Sequence, residues 1–360
     1  MTADFIPGLE LSRLFYSEQV RPLLDASFPG LAHSAALIGW GSDVLGFDTA
    51  RSTDHDWGPR LQLFLADPQP AADVSAMLTA GLPDQFRGFP TVFAGSGAAP
   101  DSATHWVEVA GLTDWLAGLL GFDPRTSVSL LDWLATPTQV LAEVTGGAVF
   151  HDGLARLPAG GLDQARTALA WYPRDIWRYV LAAQWQRIDQ EEPFPGRCAE
   201  AGDDLGSAIV AGRLVRDVVR LVLLMQRRYP PYSKWLGTAF ARTPAAAPML
   251  PALTDAVTAS SWPAREASLC ASYEAAARLH NELGLTAHVD PAVRPTFWDR
   301  PFRVLAAGRF AAALRAEIAD PVLRDLPPVG AIDQFTDSTD ALGDKHLLRA
   351  AIAAHLGRAS

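Results

Sequence analysis

The 360-residue chain has only two cysteines, Cys198 and Cys270, and no metal-ligand spacing joins them. That excludes a disulfide-stapled scaffold built on many bridges and fits two reduced thiols in a cytoplasmic protein. A basic excess is also absent. The formal net charge is −10, and a bulk nucleic-acid binder carries the opposite footprint, so an RNA or DNA partner is disfavoured. No long apolar run occurs. The stretch from Leu221 to Met225 lies between Arg220 and Gln226, far short of a membrane span. The first residues carry Asp4 and Glu10 and no basic region, which does not read as a signal peptide. Also missing are a Walker-A string, a His/Cys cluster, internal repeats and a low-complexity tail. Gly95-Ser96-Gly97 lacks the strand–helix surroundings of a dinucleotide loop.

What is present is ordinary globular composition, 49% hydrophobic and 19% charged, with enough material for a substantial core. Apolar spacing predicts a helix over residues 9–26, interrupted at Pro22. Short strands are expected over 35–40, 61–65, 89–93 and 106–109, with helices over 71–80 and 113–120. Thr113 reads as the cap of the second helix and Gly121 as its stop. Beyond residue 125 the pattern is helical: 132–145 with a break at Pro137, then 162–170, 174–190, 204–228, 264–283 and 302–318. Residues 245–251 read as a Pro/Ala-rich connector. The expected class is α+β: a mixed sheet with flanking helices over residues 1–150, then an all-helical domain over 151–360.

The most informative stretch is Gly41-Ser42, eleven spacer residues, then Asp54-His55-Asp56. Glycine lets a phosphate approach the backbone, and neighbouring amides and the hydroxyl can donate to it. If residues 54–56 are extended, Asp54 and Asp56 point the same way, roughly 7 Å apart along the strand. Two such carboxylates repel unless they are solvated or share a divalent cation. Mg²⁺ favours one or two carboxylates plus substrate phosphates. A third acid, Glu108, stands between Val107 and Val109. If those valines enter the core, Glu108 faces the other side, as a metal ligand, as a base for an acceptor hydroxyl, or as a simple exposed residue.

These elements resemble the polymerase-β-like nucleotidyltransferase superfamily: an apolar strand, Gly-Ser, a spacer, Asp-x-Asp, and a later strand with a third carboxylate. His55 stands where that motif usually has an apolar residue. Over nearly the whole chain, the strings Gly41-Ser42-Asp43-Val44-Leu45-Gly46-Phe47-Asp48, Ser52-Thr53-Asp54-His55-Asp56-Trp57-Gly58-Pro59-Arg60 and Tyr232-Ser233-Lys234-Trp235-Leu236-Gly237 resemble a bacterial family of that superfamily. Its members carry a domain of unknown function fused to a helical region. The resemblance implies transfer of a nucleoside monophosphate from ATP or another NTP, with Mg²⁺ or Mn²⁺, to a small-molecule acceptor. Asp54, Asp56 and Glu108 would be the catalytic and metal-binding acids, and Gly41 and Ser42 would bind the nucleotide.

Several other residues have two readings. Lys234 either holds triphosphate charge or lays its stem on Trp235. Arg51 and Arg60 flank the acidic pair and could contact phosphate. Arg213, Arg216, Arg220 and Arg227 share one helix face, either solvated or a cationic wall for phosphates. His151-Asp152 reads as a turn after Gly146-Gly147, with an acid–base pair as the alternative. Trp171, Trp177, Trp185 and Tyr172 read as core. The rival functions are a protein AMP-transferase of the same fold, such as a toxin-like regulator, and a nucleotide-binding protein without turnover.

Overall fold

Alternating apolar residues build a five-stranded sheet in the N-terminal part. In the computed structural model, residues 4–94 and 103–357 are described; Gly95-Ser96-Gly97 lies outside them. The chain divides into two compact units, residues 1–132 with 140–171, and residues 133–139 with 172–360. The sequence placed a single boundary at 150. The fold is α+β: a mixed sheet in the N-terminal part and a helical C-terminal region.

The first unit opens with α1 (Gly8–Phe15), a π-helical turn (Tyr16–Val20) and α2 (Arg21–Ser27). The expected interruption falls just before Pro22, whose ring cannot accept a tight turn behind it. Then come β1 (His33–Leu37), β2 (Arg60–Leu65), α3 (Ala71–Gly81), the two-residue strands β3 (Gln85–Phe86), β4 (Phe89–Pro90) and β5 (Val92–Phe93), and β6 (Thr104–Gly111). Helices α4 (Leu112–Leu120), α5 (Leu130–Ala135) and α6 (Thr138–Thr145), strand β7 (Ala148–Asp152) and α7 (Leu162–Ala168) follow. Gly111, not Thr113, occupies the cap of α4, while Gly121 ends it in the left-handed conformation at φ 83°.

The sheet order is β5-β6-β2-β1-β7. Strand β2 runs antiparallel to β1 and parallel to β6, with Gln62 opposite Glu108 and Arg60 opposite Trp106. Leu61, Leu63 and Leu65 point with Val107 into a core closed by Leu11, Phe15, Leu24, Val74 and Leu78. The other face of β2 carries Arg60, Gln62 and Phe64, and Phe64 meets Trp115 of α4 edge to face at 5.1 Å. This alternation follows from the two-residue period of a strand.

The second unit contains α8 (Arg174–Glu191), α9 (Phe194–Glu200), α10 (Asp204–Met225), α11 (Ser233–Ala241), α12 (Ala246–Thr258), α13 (Trp262–Glu282) and α14 (Gly308–Ala316). The short helices α15 (Pro321–Asp325), α16 (Ile332–Phe335) and α17 (Thr339–Gly343) lead to α18 (Lys345–Leu356). Leu214, Val218, Leu221 and Met225 of α10 are buried as their spacing required. Trp177, Trp185 and Tyr172 are core residues. The Trp177 indole donates to the Leu224 carbonyl (2.9 Å), and Trp185 stacks on Phe310 at 4.7 Å. The connector expected over 245–251 is instead the start of α12. Pro248 sits in its first turn, where no intrahelical N–H is needed, and only Pro251 lies inside the helix. No helix among the described residues is long and apolar enough to cross a membrane.

Candidate functional site

The end of β1 turns sharply through Gly39-Trp40-Gly41-Ser42-Asp43. Gly39 (φ 84°) and Gly41 (φ 132°) both need backbone conformations that side-chain-bearing residues resist. At Gly41 there is also no space: a Cβ would lie 2.2 Å from Arg60 Nη2 and 2.3 Å from Asp43 Oδ1. Arg60, the first residue of β2, holds this turn. It donates Nη2 to Asp43 Oδ1 (2.6 Å) and to the Trp40 carbonyl (2.9 Å), and Nε to Asp43 Oδ2 (3.3 Å). Its guanidinium also lies 4.6 Å from the centre of the Trp40 ring. Arg60 and Asp43 are both buried. Arg60 is therefore a clamp on the Gly-Ser turn, neutralised by Asp43, rather than the phosphate contact the sequence suggested. Ser42 is half-buried, and its carbonyl accepts the Phe47 N–H (2.7 Å).

The acidic pair is not on a strand. Residues Ala50–Asp54 form a 3-10 helix capped by Thr49 and Ser52, and Arg51 stands exposed on it. Asp54 is exposed and pairs with His55 Nδ1 at 2.8 Å. His55 is extended, but Asp56 has φ 50°, so the expected strand alternation fails there. The physical reason lies just downstream. Trp57 is drawn into the core and donates its indole N–H to Asp48 (3.1 Å), and Gly58-Pro59 then delays the strand until Arg60.

Glu108 behaves as alternation required. Val107 is in the core, Val109 packs against it, and Glu108 is exposed on the opposite face beside Gln62. Gln62 itself is buried and accepts the Ile38 N–H (3.1 Å), tying the end of β1 to β2. On this face lies a cavity of about 180 Å³ lined by Trp40, Arg60, Gln62, Trp106 and Glu108. Trp40 and Trp106 meet edge to face at 5.7 Å. Phe93 stacks on Trp106 at 4.3 Å, and its carbonyl accepts the Trp106 indole N–H. Sequence reasoning placed Trp106 only in a strand and did not single out Trp40, Gln62 or Asp43. The strand period that turns Glu108 outward turns Trp106 with it, and that signal was available. The Asp43–Arg60 pairing spans 17 residues and leaves no periodic trace.

Among the described residues, no group of three or more His, Cys, Asp or Glu side chains is arranged to hold a metal ion. Asp54, Asp56 and Glu108 thus do not fit, as arranged, the shared magnesium site expected of them.

The remaining sequence candidates make contacts of their own. Lys234, the second residue of α11, is exposed with its ammonium 5.0 Å from the Trp235 ring centre. His151-Asp152 ends β7 and is not a turn. Asp152 accepts from the Ser34 hydroxyl and from the backbone N–H groups of Leu162 and Asp163, so its carboxylate is used at the start of α7. His151 packs against the His33 ring at 4.8 Å. Burial chiefly lowers the pKa of His33, whose Nε2 meets the Tyr16 hydroxyl at 2.9 Å. Arg227 caps no cationic wall; it lies over the Trp177 ring at 4.7 Å.

Comparison with protein families matches residues 133–236 to a domain of unknown function, DUF4037. That segment includes most of the Tyr232–Gly237 string but neither the Gly-Ser turn nor the acidic pair. Searches of curated proteins and of solved structures gave no match.

Proposed function

We propose that the chain is a nucleotidyltransferase that moves a nucleoside monophosphate, AMP from ATP, to a hydroxyl of a small-molecule acceptor. One observation carries this reading. A glycine turn held rigid by a buried ion pair sits beside a cavity with two tryptophan walls and a carboxylate at its edge. Each part suits one portion of the reaction. Phe93 covers one face of Trp106 and Arg60 one face of Trp40, so a nucleobase can stack on the remaining surface of this aromatic lining. The Ser42 hydroxyl and the amides of its turn can donate to phosphate oxygens. Glu108, exposed and free of the core, can accept the proton of an attacking hydroxyl. The clamp on Gly41 fixes the turn before substrate arrives, so no ordering cost falls on binding.

A second reading is favoured by a different observation. Asp54 is occupied by His55, and the three acids do not converge. That arrangement suits a protein that binds nucleotide without turning it over. Pyrophosphate release from ATP, followed with Mg²⁺ or Mn²⁺ across a panel of hydroxyl-bearing acceptors, separates the two. The transferase reading expects release that depends on acceptor and falls about a hundredfold or more in Glu108→Gln, the range that loss of a general base supplies. Saturable ATP binding with no release under any acceptor favours the binding protein.

A further inference from the structure

Three arginines of α10 line one wall of a cavity. Arg213, Arg216 and Arg220 share one helix face, as i, i+3, i+7 spacing dictates. With Arg187 of α8 they line a second cavity, also about 180 Å³, lying wholly within the second unit. Its walls are almost entirely polar. Four guanidiniums and three carboxylates, those of Asp217, Asp333 and Asp337, face it.

These charges are unequally engaged. Arg187 engages all three nitrogens: Nη1 donates to the Gln334 carbonyl (2.6 Å), and Nε and Nη2 donate to Asp217 (3.3 and 3.4 Å). Arg220 uses only Nη2, donated to Asp333 Oδ2 (2.9 Å). Arg213 and Arg216 reach solvent, each with a single long-armed acidic partner, Glu191 at 3.0 Å and Asp337 at 3.4 Å. Exposed single-point pairs of that kind are weak and readily exchanged. Asp333 shows the opposite imbalance. Its Oδ2 accepts from Arg220, the Thr138 N–H and the Thr138 hydroxyl. Its Oδ1 is buried and meets no donor among the described residues. That oxygen has almost no accessible surface, so it is a costly buried acceptor rather than part of the cavity wall.

We propose that this cavity binds a small phosphomonoester, whose phosphate takes the spare N–H donors of Arg213, Arg216 and Arg220. A phosphate monoester carries nearly two charges near neutral pH, enough to draw Arg216 from Asp337 and Arg213 from Glu191 where a singly charged carboxylate is not. The volume is below the roughly 300–1,000 Å³ of drug-sized sites, so the ligand is small.

The test is calorimetric titration of the full chain with three probes: glycerol 3-phosphate, inorganic phosphate and glycerate. Glycerol 3-phosphate and inorganic phosphate are each expected to bind about tenfold or more tighter than glycerate. In the Arg213→Ala/Arg216→Ala double variant, both of whose side chains are solvent-exposed, the affinity for glycerol 3-phosphate should fall at least about tenfold with the melting temperature unchanged. Three results overturn the proposal. The first is no saturable binding of any probe. The second is equal affinity for glycerate and glycerol 3-phosphate. The third is an affinity untouched by the double variant.

Discussion

Two regions of this molecule handle arginine and aspartate in opposite ways. In the first unit, Arg60 and Asp43 are both buried and satisfy one another, with the Trp40 carbonyl taking a further N–H and Gly41 pressed against the pair. Both carboxylate oxygens of Asp43 are bonded, and the pair acts as a fastener. In the second unit, Arg220 and Asp333 are also buried and paired, yet Asp333 keeps an oxygen without a donor and Arg213 and Arg216 stay on solvent. The same two residue types therefore brace a turn in one place and leave binding capacity in the other. Residual donors and acceptors, not the number of charges, mark the difference.

The largest expected effect breaks the first region. Arg60→Ala leaves the Asp43 carboxylate buried without its partner and should cost about 3–5 kcal/mol of unfolding free energy. Urea denaturation followed through the first unit's transition measures it. A loss below about 1 kcal/mol would mean that the turn does not depend on the clamp.

The next effect sharpens the contrast through pH. His280 of α13 is buried among Trp185 and Phe310. The Trp185 indole donates to its Nδ1 (3.2 Å), which assigns the remaining proton to Nε2, facing the Thr286 hydroxyl. Burial pushes its pKa down from 6.5 to about 4. The folded state then binds fewer protons than the unfolded chain between those values. Its contribution is whole above about pH 6.5 and is lost as pH falls toward 4, worth about 3 kcal/mol at most. Glu192 works in the opposite sense. Burial raises its pKa from 4.5 to about 7, although it accepts the Leu305 and Ala307 N–H groups. The folded state binds the extra proton there, so this contribution declines as pH rises from about 4.5 to 7. Stability measured from pH 4 to 8 in His280→Gln should lose the acid-side fall and keep the opposing Glu192 slope. An unchanged profile would remove His280 from the account.

The smallest effect on stability is expected at Asp54. It is exposed and bound only to its neighbour His55, so Asp54→Asn should shift unfolding by no more than about 0.5 kcal/mol. Paired with His55 and apart from Glu108, Asp54 has no part in the proposed transfer, so pyrophosphate release should survive Asp54→Asn; its loss would bring Asp54 into the machinery.

Much of the sheet was legible in the chain. Leu61, Leu63 and Leu65 alternate, and so do Val107, Glu108 and Val109, and a strand's period of two leaves little freedom once one face is buried. The buried stripe of α10 followed equally from helical spacing. Three features were not legible. The segment Asp54-His55-Asp56 has the spacing of a strand, but Trp57 is anchored by Asp48 and the core, and Gly58-Pro59 holds the strand off until Arg60. Strand β7 is only Ala148–Asp152, an edge strand hidden behind Gly146-Gly147 and ended by an Asp that serves α7. The Asp43–Arg60 clamp and the meeting of α10 with Asp333 are long-range pairings, and local pattern does not encode which distant acid a guanidinium will find.

The nucleotide is proposed to sit in the cavity that Trp40 and Trp106 line together. Titration of ATP against wild type and Trp106→Ala, read by calorimetry, addresses it most directly. Stacking lost with one aromatic wall should weaken binding by roughly 1–3 kcal/mol, about fivefold to more than a hundredfold. Saturable ATP binding that is identical in both proteins, or no binding in either, would contradict it.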